Sequence, residues 1–440
     1  MRKINKNKKA EGPESGRRIV VAMSGGVDSS VAAALLKKDG FDVIGVFMKF
    51  WNPSSSADSS GQETQNRCCS VESEKLARLV AKKIGIPFYV LNVEKEFKKK
   101  VVDYFLKEYK KGNTPNPCVV CNKEIKFGFL IKKALSLGAD FVATGHYARL
   151  RREFPISNFQ FPNKSKVQNQ KIKLLKGKDK NKDQSYFLWQ LDQNQLKHVL
   201  FPVGGYTKPE VRKLAKKLKL PTAETPESQE VCFVHPHTKQ DHQKNLQTNR
   251  SCACYGVGVK STTNDFLKKY LKTKSGNICL TPDVKQNSTS GVVGRHQGLW
   301  FYTIGQRRGL EIPQGSADAE GSGETKPYYV IDKDFKKNIL IVSKNQKDLL
   351  KKELIVKNVN WISKQKLPIN AEVKIRYKSN SAKAKIIHFC FGKIFCGRKK
   401  SYQNGSKVKI VFQKKQKAIT PGQSAVFYKG EELLGGGVIE

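Results

Sequence analysis

Two groups of residues in this chain have the types and spacing to do chemistry. The first is the turn Ser24-Gly25-Gly26-Val27-Asp28-Ser29-Ser30. Its two glycines let backbone come close to a ligand, and its hydroxyls can donate to anionic oxygens. A helix opening at this point would aim several N–H groups and its positive end at one phosphate. The turn lacks the Gly-Lys-Ser/Thr ending of a Walker A loop, so it is not built to grip a phosphoryl group for transfer. The second group is Asn113-Thr114-Pro115-Asn116-Pro117-Cys118-Val119-Val120-Cys121-Asn122-Lys123, in which two prolines hold the chain extended ahead of two thiols. A further thiol, Cys232, stands in Ser228-Gln229-Glu230-Val231-Cys232-Phe233. A thiol with its ordinary pKa of about 8.5 is only slightly ionised at neutral pH, so a nucleophilic role calls for a cation nearby, and Lys123 is a candidate.

The elements that must position these groups follow from the apolar pattern. Arg18 to Ser24 reads as a short buried strand and Ser29 to Lys38 as a helix, which puts the glycine turn between them. Further strands are predicted at Phe41–Phe47, Pro87–Val93 and Phe141–Thr144, with helices at Val71–Ile84 and Phe127–Leu137. Strands alternating with helices predict an α/β fold with a parallel sheet and the ligand at the carboxyl ends of its strands. Gly145, in Ala143-Thr144-Gly145-His146-Tyr147, follows such a strand and can bring backbone against a nucleotide. Met48, at the end of the second strand, suits packing on an adenine or a place in the core. His146 fits a structural role as well as a catalytic one. From about Leu310 the texture changes to short alternating strands, Tyr328–Ile331, Ile339–Val342, Glu372–Tyr377 and Lys407–Phe412, which predict a small antiparallel β-barrel. The expected division is a basic tail over 1–17, a phosphate-loop domain over 18–227, a small central domain over 228–310, and a barrel domain over 311–440. Polar insertions over 52–67, 151–170 and 235–260 read as loops.

Among 440 residues, 82 Lys and Arg stand against 38 Asp and Glu, a formal net charge of +44. Such a surface favours a polyanion, although Lys is spread through every segment and part of the excess reflects general Lys usage. No apolar run approaches the roughly 18 residues of a membrane span, and the basic N-terminus lacks the apolar core of a secretory signal, so a cytoplasmic protein is expected. Ten cysteines in such a chain point to metal or catalysis, not structural disulfides. Cys68 and Cys69 read as structural. Cys252 and Cys254, with His235, His237 and His242 nearby, form only a poorly spaced zinc pattern.

The form SGGxDS resembles the PP-loop of ATP pyrophosphatases, in which pyrophosphate leaves and AMP passes to an acceptor oxygen. The resemblance extends along nearly the whole chain. SGGVDSS, NTPNPCVVCNKEIKFG, ATGHYA, KDQSYFL, FPVG, CFV, TIGQRRGL and TPGQSAVFY occur in the order found in MnmA-type tRNA-uridine 2-sulfurtransferases. It implies a PP-loop domain, a central domain and a C-terminal antiparallel β-barrel. It also implies ATP and Mg2+ at Ala22, Met23, Ser24, Gly25, Gly26, Val27, Asp28, Ser29, Met48 and Gly145. The activity implied is 2-thiolation of the wobble uridine of tRNA: ATP adenylates the 2-carbonyl oxygen and sulfur then replaces it. By position, Cys232 matches the persulfide-bearing cysteine and Cys121 the second active cysteine. Asn116, Pro117 and Cys118 fall where the family frames the flipped base. Lys182, Asp183 and Gln184, then Arg376 and Tyr377, match tRNA contacts, and Gln306-Arg307-Arg308 could grip phosphate. The implied partners are a tRNA and an upstream persulfide donor or relay protein, with the chain itself a monomer.

The chain departs at Cys118 from the well-studied members of the family, which carry there an Asp assigned to proton transfer beside the target base. Cys118, Cys121 and Cys232 together supply three thiolates, enough for a 4Fe-4S cluster with one iron open to sulfide. Both devices for carrying sulfur, persulfide and cluster, are compatible with these residues, and the third thiol inclines the reading toward the cluster. Other PP-loop adenylating enzymes, or a basic RNA-binding protein with a decayed site, are the competing readings.

Overall fold

The computed structural model describes residues 16–52, 65–66, 70–152, 171–227, 231–234, 236–237, 262–281, 291–312, 327–363, 365–389 and 406–440. Cys68, Cys69, His235, His242, Cys252, Cys254 and most of the three polar insertions lie outside the described residues.

The N-terminal part is a five-stranded sheet in the order Phe88–Asn92, Asp42–Lys49, Arg18–Ala22, Phe141–Ala143, Val199–Leu200, parallel throughout. The alternation of the strand residues explains its two packed faces. Ile19 and Val21 join one apolar cluster with Val43 and Phe47, while Val20 joins the other with Val46 and Met48. Both faces are therefore covered, as a parallel sheet requires. On the first face lies the helix Val27–Lys38, whose Ala32, Ala33 and Ala34 are buried and short enough to let it approach the sheet closely. Next to it lies the helix Val71–Ile84, begun by the Ser70 hydroxyl accepting from Ser73 N (3.1 Å) and ended by Gly85 at φ 66°. The second face carries two longer helical stretches, 94–110 and 117–136, each interrupted by a π segment, Lys98–Val102 and Asn122–Phe129. The predicted helix Phe127–Leu137 is thus the latter part of a stretch that begins at Pro117, directly at the cysteines.

The second unit is a four-stranded sheet in the order Val292–His296, Gly276–Leu280, Ile339–Ser343, Tyr329–Asp334. Two strands expected in the C-terminal barrel therefore belong to the central unit, and strand pairing puts the division after Ser343, not at 310. Alternation identifies a strand but not the sheet it joins, which is why that boundary fell early.

The third unit is a closed antiparallel barrel in the order Leu350–Trp361, Val408–Lys417, Ala382–His388, Ile369–Lys374, Ser424–Lys429, Glu432–Ile439, with the first strand pairing back to the last. Its interior holds Val356, Val373, Ile386, Ile410, Phe412 and Phe427. A hairpin from the N-terminal unit, Ala148–Arg152 with Ile172–Lys176, continues this sheet by pairing Leu175 and Leu174 with Glu432 and Leu433. Arg151 and Arg152, read as insertion, are strand residues. No helix among the described residues is long and apolar enough to cross a membrane.

Candidate active site

The phosphate turn forms where the sequence places it, between the strand Arg18–Ala22 and the helix Val27–Lys38. Gly25 takes φ +74°, and a Cβ there would collide with the Ser73 carbonyl, so only glycine fits. Around Gly26 the space is open: a Cβ would meet nothing nearer than Ser24 Oγ at 3.5 Å. An open backbone face at a helix N-terminus is the shape an anionic phosphate needs. The hydroxyls divide unexpectedly. Ser30 Oγ donates to Gly26 O (2.8 Å) and Ser29 Oγ donates to the same carbonyl (3.1 Å), both buried and spent on shaping the turn. Ser24 is exposed, and its hydroxyl lies 3.3 Å from Ser29 Oγ.

Asp28 is held by partners far away in sequence. Lys208 Nζ donates to both its oxygens (2.7 and 2.8 Å), and Tyr147 OH donates to Oδ1 (2.7 Å). Lys208 is only 7% exposed, and its ammonium also reaches Glu227 Oε1 at 3.3 Å. Lys182 Nζ pairs with the other oxygen of Glu227. Burial would raise the Glu227 carboxyl, but the two ammonium groups prevail and hold it below its ordinary value. Burial, then the Asp28 charge, pushes the Tyr147 phenol far up, which keeps it a donor. The result is a compact set of two carboxylates and two ammoniums against the phosphate turn.

Gly145 lies against this turn as well. A Cβ there would meet Ser29 N at 2.6 Å and Asp28 C at 2.7 Å, so its role is to let the strand end pack on the helix start. Met48 is buried in the core at 6% exposure and Met23 at 2%. His146 shares a 2.8 Å bond with Thr144 Oγ1 and lies against Phe127 and Phe201. Burial and Lys126 keep its imidazole neutral.

The segment expected to meet RNA, Lys182-Asp183-Gln184, turns mostly inward. Asp183 is 8% exposed and accepts from Gly177 N, Ser185 N and Ser185 Oγ (2.9, 3.1 and 3.0 Å). Gln184 Oε1 accepts from Tyr147 N (3.0 Å). The residues that follow plug the N-terminal unit into the barrel: Tyr186 OH donates to Ser424 O (2.9 Å) and Trp189 Nε1 to Ser424 Oγ (3.0 Å). Arg376 likewise acts inside the protein. Its Nη2 donates to Ala418 O (2.8 Å), Thr420 Oγ1 (2.6 Å) and, more weakly, Ile304 O (3.3 Å), so it joins the turn after a barrel strand to the loop at 303–308. Tyr377 beside it stays partly exposed and packs against Phe187 at 4.5 Å with the rings tilted by 43°. Arg307 and Arg308 are exposed.

The thiols sit at the meeting of all three units. Pro117 occupies the first turn of its helix with Asn116 as cap, Cys118 is partly exposed, and Cys121 is 8% exposed. The preceding loop is clamped from both sides. Thr114 N donates to Pro421 O (2.9 Å), and Gln423 Nε2 donates to Thr114 O (2.8 Å). Thr114 Oγ1 meets Thr303 Oγ1 at 3.2 Å, and Lys333 Nζ donates to Gly112 O and Tyr302 O (both 2.7 Å). Beyond Cys121, Asn122 Nδ2 donates to Phe187 O (3.1 Å), and Gln195 Nε2 donates to Lys123 O and Phe127 O (3.1 and 2.9 Å), two carbonyls of the π segment. The Lys123 side chain itself is exposed. Cys232 is partly exposed and anchored by its neighbour Phe233, which meets Phe97, Phe105 and Phe266 edge-on (5.7, 5.2 and 5.5 Å). Cys121 and Cys232 border the same apolar cluster.

Among the described residues, no three Cys, His, Asp or Glu side chains are grouped closely enough to hold a metal ion. Cys118, Cys121 and Cys232 do not together form a site for a single metal ion in this conformation. Lys208, Glu227, Lys333 and Gln195 carry no local signature in the sequence, because each acts on a partner remote in the chain; Tyr147 stands in the ATGHYA motif, but its bond to Asp28 is long-range.

Comparison with known proteins accounts for all three units. A family model described as "tRNA methyl transferase HUP domain" matches residues 17–236, one described as "tRNA methyl transferase PRC-barrel domain" matches 264–344, and one described as "Aminomethyltransferase beta-barrel domain" matches 351–439. The chain is 40% identical over 426 residues to a protein of Carboxydothermus hydrogenoformans called tRNA-specific 2-thiouridylase MnmA, covering 96% of this chain and 98% of that one. It is 41% identical over 429 residues to tRNA-specific 2-thiouridylase MnmA 2 of Thermoanaerobacter sp. strain X514, covering 97% and 99%. With relatives of this identity matched along almost their entire length, the chain belongs to the MnmA family of tRNA-specific 2-thiouridylases.

Proposed function

We propose that this chain catalyses the ATP-dependent 2-thiolation of the wobble uridine of tRNA. The observation that carries the reading is the connection between an open phosphate turn and two separate thiol segments. Asp28 of the turn is held by Lys208, Lys208 by Glu227 just ahead of the Cys232 segment, and Glu227 by Lys182, while Asn122 beside Cys121 bonds to Phe187. These bonds tie the phosphate turn to Glu227, which precedes Cys232 in sequence, and tie Asn122 to the stretch that also carries Lys182.

ATP and Mg2+ would bind at the turn. The backbone N–H groups around Gly26 and the Ser24 hydroxyl would face the phosphates, and Asp28 would orient the turn through Lys208. The uridine O2 attacks the α-phosphorus, the bond to pyrophosphate breaks, and C2 now carries AMP as a good leaving group. The terminal sulfur of a persulfide on Cys232 attacks C2, and AMP departs with the original oxygen. The Cys121 thiolate then attacks the Cys232 sulfur of the C2–S–S–Cys232 bridge. This releases the 2-thiouridine and leaves a Cys121–Cys232 disulfide, which a two-electron thiol reductant reopens. An upstream persulfide donor reloads Cys232. Asn116, Pro117 and the partly exposed Cys118, clamped by three units, would frame the extruded base.

The test is incubation with ATP, magnesium, a persulfide donor, a thiol reductant and unmodified tRNA, followed by mass spectrometry of the nucleosides. Formation of 2-thiouridine with stoichiometric AMP supports the proposal. A methylated base appearing only when S-adenosylmethionine is supplied would refute it in favour of the activity named in two of the family-model descriptions.

A further inference from the structure

We infer that Cys118 is a further catalytic thiol: with Cys121 it forms a redox pair that opens the Cys121–Cys232 disulfide and returns Cys232 as a thiol ready for the next sulfur. The inference rests on the proposed sulfur chemistry and deepens it, since that chemistry leaves open which sulfur meets the reductant.

Cys118 and Cys121 stand on one helical segment, Pro117–Cys121. Three residues along an α-helix, a rise of about 4.5 Å at a radius of about 2.3 Å puts their Cα atoms about 5 Å apart, inside the range of about 4.4–6.8 Å that a disulfide spans. Their Cβ atoms, about 5–6 Å apart at this spacing, must close to about 4 Å. Cys118 can make that shift, because it lies in the first turn, whose N–H groups close no intrahelical bond. The segment itself is held at both ends, by the Thr114 bonds to Pro421 and Gln423 and by the Asn122 bond to Phe187, so the two sulfurs stay within reach of each other. Cys232 stands on a separate segment, anchored by Phe233 among Phe97, Phe105 and Phe266.

The two thiols of the pair differ in access. Cys121 is 8% exposed, whereas Cys118 is partly exposed. In a Cys-x-x-Cys redox pair the accessible sulfur exchanges with outside thiols and the buried one exchanges within the protein. A soluble thiol acting without Cys118 meets two obstacles: the Cys121 sulfur is buried, and attack at the partly exposed Cys232 sulfur leaves a mixed disulfide on the atom that must be reloaded. Cys118 removes both. Its thiolate attacks the Cys121 sulfur, the Cys118–Cys121 bond forms, the Cys121–Cys232 bond breaks, and Cys232 departs as a thiolate, with no net electron consumed. A low-molecular-weight thiol then attacks the Cys118 sulfur, forming a mixed disulfide there and expelling the Cys121 thiolate. A second molecule of that thiol attacks the sulfur of the first, the two leave as their disulfide, and the Cys118 thiolate returns. The two electrons and two protons of these thiols end on Cys121 and Cys232.

The experiment follows one turnover of the full chain. Protein carrying a persulfide on Cys232 is mixed with ATP, magnesium and unmodified tRNA without reductant, quenched in acid, capped with N-ethylmaleimide, and analysed by mass spectrometry of its disulfide-linked peptides and of the nucleosides. In the wild type 2-thiouridine should form, Cys121 should be joined to Cys118 in most molecules, and Cys232 should be recovered as a capped thiol, with the buried Cys279 of the central sheet unchanged. Glutathione added before the quench should be found on Cys118. In Cys118→Ser, Cys121 should stay joined to Cys232, and glutathione should return the Cys232 thiol more slowly by roughly tenfold, with its adduct on Cys232. A second arm needs neither tRNA nor turnover: Cys232→Ser equilibrated with oxidised glutathione should form the Cys118–Cys121 disulfide. Formation of 2-thiouridine with Cys121 joined for the larger part to any residue other than Cys118, or a Cys232→Ser chain that never forms the Cys118–Cys121 bond, overturns the inference and leaves the thiolation reading standing. Absence of 2-thiouridine from the wild type overturns that reading, and the inference with it.

Discussion

Replacing Arg376 by methionine discriminates between a tRNA contact and an internal clamp. The structure assigns the guanidinium two short bonds, to Ala418 O at 2.8 Å and Thr420 Oγ1 at 2.6 Å, and a long one to Ile304 O at 3.3 Å. A hydrogen bond from a charged donor contributes roughly 1.5–3 kcal/mol, and the partial burial that lowers the Arg376 pKa offsets part of that sum. A net loss of about 2–4 kcal/mol is expected, felt locally where the barrel meets the loop at 303–308. A chain of three units does not unfold in a single step, so the measurement should be local as well. Hydrogen exchange at Gly305 N, bonded to Val330 O, and at Gly422 N, bonded to Ile439 O, reports on both sides of the clamp. Exchange there should accelerate by roughly 30- to 700-fold, since each 1.4 kcal/mol is a factor of ten. Exchange unchanged within twofold, together with weaker tRNA binding and a salt slope reduced by about one, would show that Arg376 meets phosphate.

Further outcomes follow from the same geometry. Gly25→Ala should raise the KM for ATP at least tenfold and lower stability, because φ +74° and the Ser73 carbonyl exclude a side chain, whereas Gly26→Ala should raise KM with stability retained; kinetics and thermal melts of both variants check this. Cys121→Ser and Cys232→Ser should each abolish 2-thiouridine while tRNA-dependent pyrophosphate release continues, measured by nucleoside mass spectrometry beside a pyrophosphate assay. Burial lowers the Lys333 pKa from 10.5 to about 8, so the unfolded chain binds more protons than the folded one between those values. Stability contributed by this site should therefore rise from pH 8 to 10.5, by about 3 kcal/mol, and be lost as pH falls through 8. The difference in denaturation free energy between wild type and Lys333→Met, followed across that range, should carry this slope, and a flat difference would contradict it.

The phosphate turn was legible because everything that makes it is local. A buried strand, two glycines and an Ala-rich helix occur within twenty residues or so, and each reports its own conformation. The barrel strands were legible by alternation for the same reason. What remained hidden was pairing at long range. Ser29 and Ser30 look like phosphate ligands in a motif, yet their hydroxyls close the turn on Gly26 O. Asp183 and Gln184 look like surface polar residues, yet they satisfy backbone groups of Gly177, Ser185 and Tyr147. Lys208 carries no local mark in a chain full of lysines, and only the fold brings it to Asp28.

The hairpin Ala148–Arg152 with Ile172–Lys176 has a consequence for biosynthesis. It is made as part of the nucleotide-binding unit, but the strand it pairs with, Glu432–Ile439, leaves the ribosome only after the central sheet and most of the barrel. During that interval its outer edge offers unpaired backbone groups to any neighbouring strand. The nascent nucleotide-binding unit therefore carries an open strand edge until the barrel arrives. A cut between domains that respects sequence boundaries would leave this seam open on both pieces.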